Sequence, residues 1–345
     1  MTPHVEGVDA EKVTDWFAAH VTGVKPPLTF DLIAGGHSNL TYRVQDTIGD
    51  TWVLRRPPLG QVLATAHDMG REHAVISALG PTDVPVPAAL GLCADETVTG
   101  APFYVMEFVE GRVVRNADLA SGLSLDERRT AGHSIVDVLA DIHAVDVDAV
   151  GLAGLGRREG YIERQLKRWH GQWEKSKTRE LPLVDEVHAG LLASVPDQGR
   201  SGIVHGDYRL DNCLVGDDGR VVAVLDWEIC TLGDPLADAG LLMVDWSEPS
   251  DEHQITANAP TAVGGFPSRA EMLDRYAEKS GRDVSRIDYY MAFGYWKLAC
   301  IVEGVYARYL GGAMGNRGSG PEFDVFAAQV DALAWAAAAA LERSA

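Results

Sequence analysis

The hydrophobic period of this chain changes near Gly111, and that one change confines it to folds built from two unlike parts. Upstream, short runs at 28–33, 40–45, 51–55, 88–93 and 103–108 carry the pattern of strands. Gly35-Gly36 and Gly49-Asp50 supply turns between the first three. Two helical stretches interrupt them. One is 10–21, where Val13, Trp16, Phe17 and His20 fall near helical spacing; the other is 67–79, which stops before Gly80-Pro81. Downstream the pattern turns helical, over 125–145, 159–177, 183–195, 236–244, 269–280, 287–310 and 322–343. One β interruption sits among these helices, at 203–204, 213–215 and 221–225, with an Asp-Asp-Gly turn at 217–219. The pattern predicts an α+β chain with a small β-rich lobe over 1–110 and a larger, mainly helical lobe over 111–345. The glycine-rich stretch 311–320 reads as a mobile loop.

At 345 residues and 46% hydrophobic, the chain is long enough for two lobes around a cleft. Thirty basic against fifty acidic residues give a formal charge of -20. A field of that sign repels nucleic acid and anionic membrane, mildly favours cationic partners, and aids solubility. Cys93, Cys213, Cys230 and Cys300 lie far apart and form no CxxC or Cys/His ligand spacing, which argues against a disulfide framework or a zinc site. The N-terminus lacks the pattern of a secretory signal, and no apolar run of membrane-spanning length is expected. The alanine tract 336–340 reads as part of an amphipathic helix with Asp331, Trp335, Glu342 and Arg343. A cytoplasmic protein is expected.

The chemistry concentrates in Ile203-Val-His-Gly-Asp-Tyr-Arg-Leu-Asp-Asn-Cys-Leu-Val215 and the following Val222-Ala-Val-Leu-Asp-Trp-Glu228. Phosphoryl transfer asks a protein for a carboxylate to orient and deprotonate the acceptor hydroxyl, and for hard oxygen ligands to hold the metal that neutralises a triphosphate. Asp207 can be the base. Asn212 and Asp226 can ligate Mg2+, because the strands between them would bring both to one end of a hairpin. Singly, Asp207 and Asn212 would pass for turn residues; together with Asp226 they read as a site. A buried, unpaired carboxylate at a strand end would be costly, so Asp226 needs a metal or a cation.

These residues resemble the aminoglycoside phosphotransferase and choline-kinase-like superfamily, relatives of the protein kinases. The family's His-x-Asp-x-x-x-x-Asn loop matches His205, Asp207 and Asn212, and its metal-binding aspartate matches Asp226. The resemblance implies a protein-kinase-like two-lobed fold, ATP and Mg2+ as cofactors, and a small-molecule hydroxyl as phosphate acceptor. Arg209 stands two residues after Asp207, where many protein kinases carry a lysine that approaches the transferred phosphate. His205 is expected to brace the loop backbone.

In the small lobe the resemblance places a phosphate-covering hairpin at Gly35, Gly36, His37, Ser38 and Asn39, where backbone N–H groups at a glycine-rich turn can approach phosphate oxygens. The third strand of a kinase normally offers a lysine, but Trp52-Val-Leu-Arg-Arg56 has only arginines. Strand alternation separates Arg55 from Arg56. Arg55 is assigned the phosphate contact, with Arg56 as the fallback and Glu72 as the ion-pair partner. Phe103–Gly111 resembles the hinge that binds adenine, with backbone groups from Glu107 and Val109 and with Met106 bordering the pocket.

Gly233–Gly240 and Tyr295–Arg308 resemble the subgroup whose kinase modules are, in some organisms, fused to acyl-CoA dehydrogenases. Asp234 and Asp238 stand four apart at a helix start, where carboxylates suit the dipole. Trp246, Trp296, Glu303 and Tyr306 are candidate substrate contacts. An acidic cleft would suit a polycationic aminoglycoside, and an apolar lining would suit an acyl or lipid-like hydroxyl. A nucleotide-binding regulatory protein without turnover is the remaining alternative.

Overall fold

Five short antiparallel strands form the first sheet: β1 (Thr29–Ala34), β2 (Leu40–Gln45), β3 (Thr51–Arg56), β4 (Ala89–Cys93) and β5 (Phe103–Glu107), in the order β1-β2-β3-β5-β4. They belong to a computed structural model that describes residues 5–34, 39–59, 68–251, 258–311 and 321–344. The turn between β2 and β3 is closed by Asp46, whose Oδ1 accepts from the N–H groups of Ile48 and Asp50 at 3.0 Å each. Side-chain alternation gives the sheet two faces. Trp52, Leu54, Phe103 and Val105 pack with Val13 and Phe17 of α1 (Ala10–His20), a helix capped by Asp9. Val53, Tyr104 and Met106 share a cluster with Val75 and Ile76 of α2 (Met69–Leu79), capped by Asp68.

The remainder is mostly helical. A one-turn α3 (Glu96–Thr99) precedes β5, and α4 (Ala117–Ser121), α5 (Leu125–Ala144), α6 (Tyr161–Ser176) and α7 (Pro182–Ala193) follow the sheet. Next come β6 (Gly202–Val204), β7 (Cys213–Val215), β8 (Val221–Val224) and β9 (Thr231–Gly233), pairing as β6–β9 and β7–β8. Helices α8 (Leu236–Asp245), α9 (Arg269–Ser280), α10 (Ile287–Leu310) and α11 (Pro321–Arg343) complete the chain. α5 starts on a Ser124/Glu127 capping box. The elements α3, α4 and β9 were not predicted; each is five residues or fewer, too short to display a period. The expectation of no span-length apolar run needs correcting. Val325–Arg343 is long and apolar enough by length and composition alone, because the alanine tract carries few charges. One side of that helix, with Val330, Leu333, Ala334, Ala337 and Ala340, is buried within the protein, and the helix packs on α10.

The small-lobe sheet is tied to the helical part at several points. Arg112 pairs with Val215 through both backbone groups, at 2.8 and 2.9 Å, extending the β7–β8 hairpin. Arg71 of α2 donates to the carbonyls of Leu155 and Cys230 at 2.6 and 2.7 Å. Val53, Tyr104 and Met106 belong to the same apolar cluster as Val204, Leu210 and Val224. The segment that contains Val204, Leu210 and Val224 therefore sits on a core shared by both parts of the chain.

Candidate active site

The segment from His205 to Asp226 is shaped by the hairpin that follows it. β7 and β8 pair Cys213 with Val224, and the Leu225 N–H donates to the Asn212 carbonyl at 2.8 Å. That register brings Asn212 and Asp226 together at the open end of the hairpin. The Asn212 Nδ2 donates to both the Asp207 carbonyl (2.7 Å) and the Asp207 Oδ2 (2.9 Å). The amide is thereby oriented, and its oxygen remains the ligand-capable atom. Asp226 has φ 65, a left-handed conformation rare outside glycine and a form of strain found at functional sites.

Beneath this segment the loop backbone is braced on every side. Asp238, 1% exposed, accepts from the N–H of His205 at 2.6 Å and of Gly206 at 2.9 Å. Lys297, buried on α10, donates to the Gly206 carbonyl at 2.9 Å. Gly206 has φ 87, and a Cβ there would also meet Ile229 at 3.0 Å, so glycine is required. The His205 Nε2 lies 3.0 Å from the Leu225 carbonyl, which makes it the protonated nitrogen and leaves Nδ1 to accept from the Asp207 N–H at 3.3 Å. His205 is fully buried and braces the backbone on both sides of the site. Asp234, just ahead of α8, accepts from the Leu236 N–H at 3.1 Å and from the Tyr290 hydroxyl at 2.6 Å.

From the small lobe, Arg55 reaches into the same place. Its Nε lies 3.1 Å from Glu72 and its Nη2 2.5 Å from Asp226. Burial works against the guanidinium charge, but Glu72, Tyr104, Asp226 and Glu228 around it hold its pKa above the ordinary value. Glu72 is 1% exposed; burial lifts its pKa to about 7, with Arg55 opposing and Asp226 and Glu228 assisting. Glu228 is also raised to about 7, by burial first and then by Asp226, and accepts from the Asn39 Nδ2 at 2.9 Å. Arg209 stands on the other side of Asp207, 3.5 Å from Asp207, 3.1 Å from Asp211 and 3.9 Å from Asp245.

Of the residues proposed from sequence, Asp207, Arg209, Asn212, Asp226, Arg55, Glu72 and Asn39 thus gather in one cluster of hydrogen bonds and ion pairs. Gly35, Gly36, His37 and Ser38 lie outside the described residues. Met106 is buried opposite Val53, and the Glu107 N–H is committed to the Ala88 carbonyl at 2.9 Å. Val109 lies just beyond β5, half-buried. The fallback Arg56 is turned to the opposite face of β3, where it donates to the carbonyls of Gly7 and Thr99, away from the cleft. The substrate contacts also need correcting. Trp246 and Trp296 are core residues whose indole N–H groups bond the carbonyls of Pro267 and Val184. Glu303 is buried and accepts from the N–H and hydroxyl of Thr178. Tyr306 stacks on Phe326 of α11. Two residues of the site, Glu228 and Lys297, had no role assigned from sequence, and Asp238, read as a helix-start carboxylate, is the loop brace. The signals were a carboxylate two residues after Asp226 and a single cation inside an otherwise apolar stretch of α10.

A two-lobed fold with an Asp–Asn–Asp constellation at the lobe junction defines the kinase-like phosphotransferases. The sequence profile of the phosphotransferase enzyme family matches residues 29–272, and the chain belongs to that family. It is 33% identical over 334 residues to human acyl-CoA dehydrogenase family member 11, covering 94% of this chain but 42% of that protein. The chain thus spans less than half the length of this curated relative. Among solved structures, a Ralstonia eutropha protein provisionally described as an aminoglycoside phosphotransferase is 32% identical, with TM-score 0.81 and coverage of 97% of this chain and 98% of that one. Amicoumacin kinase in complex with AMP-PNP, Ca2+ and its ligand shares the fold, at 17% identity and TM-score 0.61, with 95% and 94% coverage.

Proposed function

We propose that the chain moves the γ-phosphoryl group of ATP to a hydroxyl of a small molecule that has an apolar portion, with Asp207 as the general base. The observation that carries this reading is the convergence of Asp207, Asn212 and Asp226, locked by the Asn212 hydrogen bonds to Asp207. The donor set suits a magnesium ion: an amide oxygen from Asn212 and carboxylates from Asp226 and Glu228 are the hard ligands it prefers. Bound there, the ion would neutralise charge on the triphosphate. Asp207 orients the acceptor hydroxyl and takes its proton, and Arg209 beside it supplies positive charge for the transferred group. Arg55, held by Glu72, provides the phosphate contact from the small lobe. Asn39 and the preceding Gly35, Gly36, His37 and Ser38 cover the phosphates. Val109 and the strand end at Met106 and Glu107 receive the base, with the Glu107 N–H excluded because Ala88 already uses it. The amicoumacin kinase complex with AMP-PNP and Ca2+ supports the use of a nucleotide and a divalent cation.

The acceptor reading draws support from likeness to acyl-CoA dehydrogenase family member 11 and from the charge on α6. Lys297, bonded to Gly206, lies 5.9 Å from the Trp169 ring of α6. That helix continues into a groove of about 550 Å³ lined by Arg164, Lys167, Arg168, Gln172 and Lys175, with no carboxylate in its lining. This positive face of α6 would repel a polycation that approached along the helix, against the attraction of the net charge of -20. An aminoglycoside acceptor is the second reading, favoured by that net charge; a regulatory protein without turnover is the third.

Two measurements separate these readings. Asp207→Asn is expected to lower turnover by about 10²–10⁴-fold while leaving Mg–ATP affinity nearly intact, because this carboxylate serves the acceptor. Turnover at the wild-type rate would remove Asp207 from the mechanism. Values of kcat/KM for hydroxyacyl thioesters and for an aminoglycoside panel, under identical Mg–ATP conditions, are expected to favour the thioesters. Efficient turnover of an aminoglycoside with none of the acyl compounds would reverse the choice, and turnover of neither would favour the regulatory reading.

A further inference from the structure

Helices α6 and α7 pack together at a cluster that the phosphoryl-transfer site does not use. His170 and Glu174 stand one turn apart on α6, and Asp185 faces them from α7. One donor atom from each lies within 4.8 Å of the other two, and the His170 Nε2 is 3.1 Å from the Asp185 Oδ1. An imidazole with two carboxylates is a usual transition-metal donor set, and bonds of about 2.0–2.2 Å leave a fourth position for water.

The imidazole is held in place by packing. The His170 ring stacks on His188 of α7 with centroids 4.0 Å apart and planes 3° from parallel, and His188 stacks in turn on Trp296 at 5.3 Å. Trp296 is 0% exposed and anchored to the Val184 carbonyl at 3.0 Å. The stack therefore fixes the His170 ring to the core, as a supporting residue should for a metal ligand. The competing cation is Lys177, 3.2 Å from Glu174. That pair is open to solvent on its Glu174 side, 45% exposed against 24% for Lys177, and such pairs contribute little.

We propose that His170, Glu174 and Asp185 bind a divalent ion of the zinc class, pinning α6 to α7 at a site whose ligands are separate from those of the cleft. A metal here anchors the turn of α6 that carries Arg168 and Trp169, the turn nearest Lys297 and the catalytic loop. Binding needs neither the nucleotide nor turnover.

The test is calorimetric titration of zinc chloride into the full chain, with magnesium present to occupy sites built from oxygen alone. One zinc per chain is expected, with affinity reduced roughly tenfold or more in Asp185→Asn and in Glu174→Gln. His170→Gln is expected to abolish uptake, and Asp226→Ala to keep it. Circular dichroism checks that each variant is folded, and a zinc-dependent rise in Tm in the wild type but not in His170→Gln gives a second readout. The four cysteines are buried and do not compete. No zinc uptake by the wild type would overturn the proposal. So would uptake unchanged in folded His170→Gln, or uptake lost in Asp226→Ala.

Discussion

Two sets of carboxylates lie on either side of the loop from His205 to Asn212, and they are held in opposite ways. In the cleft, Glu72, Asp226 and Glu228 surround Arg55, and burial together with mutual repulsion pushes Glu72 and Glu228 to about 7. Beneath the loop, Asp238 is as buried as Glu72, yet its pKa is lowered. Burial pushes it up, and this is outweighed by His143 at 3.6 Å and by the Gly206 N–H. Asp238 finds its hydrogen-bond donors within the chain, in the N–H groups of His205 and Gly206. The cleft brings three carboxylates around one guanidinium, an arrangement that gains from a divalent cation.

The comparison breaks most visibly at Asp226. Asp226→Ala is expected to weaken Mg–ATP binding by more than about 100-fold, beyond the effect of removing a ligand's supporting partner. Asn212→Ala should do so less, because a neutral amide holds a cation less firmly than a carboxylate. Calorimetric titration of Mg–ATP into both variants, beside Asp207→Asn, orders the three. Unchanged affinity in Asp226→Ala would mean that the crowded carboxylates of the cleft do not serve a metal.

The brace is probed by stability. Asp238→Ala leaves the buried N–H groups of His205 and Gly206 without their acceptor, at about 1–3 kcal/mol each, so a loss of about 3 kcal/mol or more is expected. Asp238→Asn, which keeps one acceptor oxygen, should lose less. Denaturant titration measures both. An unchanged midpoint in Asp238→Ala would show that the loop finds other partners and that the two carboxylate sets differ less than their geometry implies.

The same contrast explains what was legible beforehand. The β7–β8 hairpin and the convergence of Asn212 with Asp226 follow from local spacing, since a two-stranded hairpin leaves little freedom to its ends. The long helices and the five small-lobe strands show their period directly, and the family match supports the two-lobed reading. The brace is nonlocal: Asp238 meets His205 across 33 residues and Lys297 meets Gly206 across 91. Alternation separates Arg55 from Arg56, but which of them faces the cleft depends on where α1 and α2 pack against the sheet. The aromatic stripe of α10 misled for the same reason, because Trp296 serves equally well as core or as pocket until its neighbours are known.

Asp245, at the end of α8, offers the finest test because it lies between the two cases. Burial raises its pKa to about 6 from an ordinary 3.8; Arg209 opposes the shift, while Asp211 and Asp207 assist it. Its nearest contact with Arg209 is long, at 3.9 Å, whereas Arg209 keeps closer partners in Asp207 and Asp211. A carboxyl whose folded pKa exceeds its unfolded value holds its proton longer in the fold. Between pH 3.8 and about 6 the unfolded chain therefore binds fewer protons at this group, and its contribution to stability falls as pH rises. The deficit is complete above about 6 and absent below the unfolded value. Asp245→Asn cannot ionise, so it is expected to raise Tm by about 2 °C at pH 8. The gain should vanish as the pH approaches the ordinary carboxyl value, and thermal scans of both proteins at the two pH values would measure it. A lower Tm for the variant at pH 8 would mean that the pair with Arg209 outweighs the cost of burial. Asp245 would then belong with Asp238 as a satisfied brace and not with the strained carboxylates of the cleft.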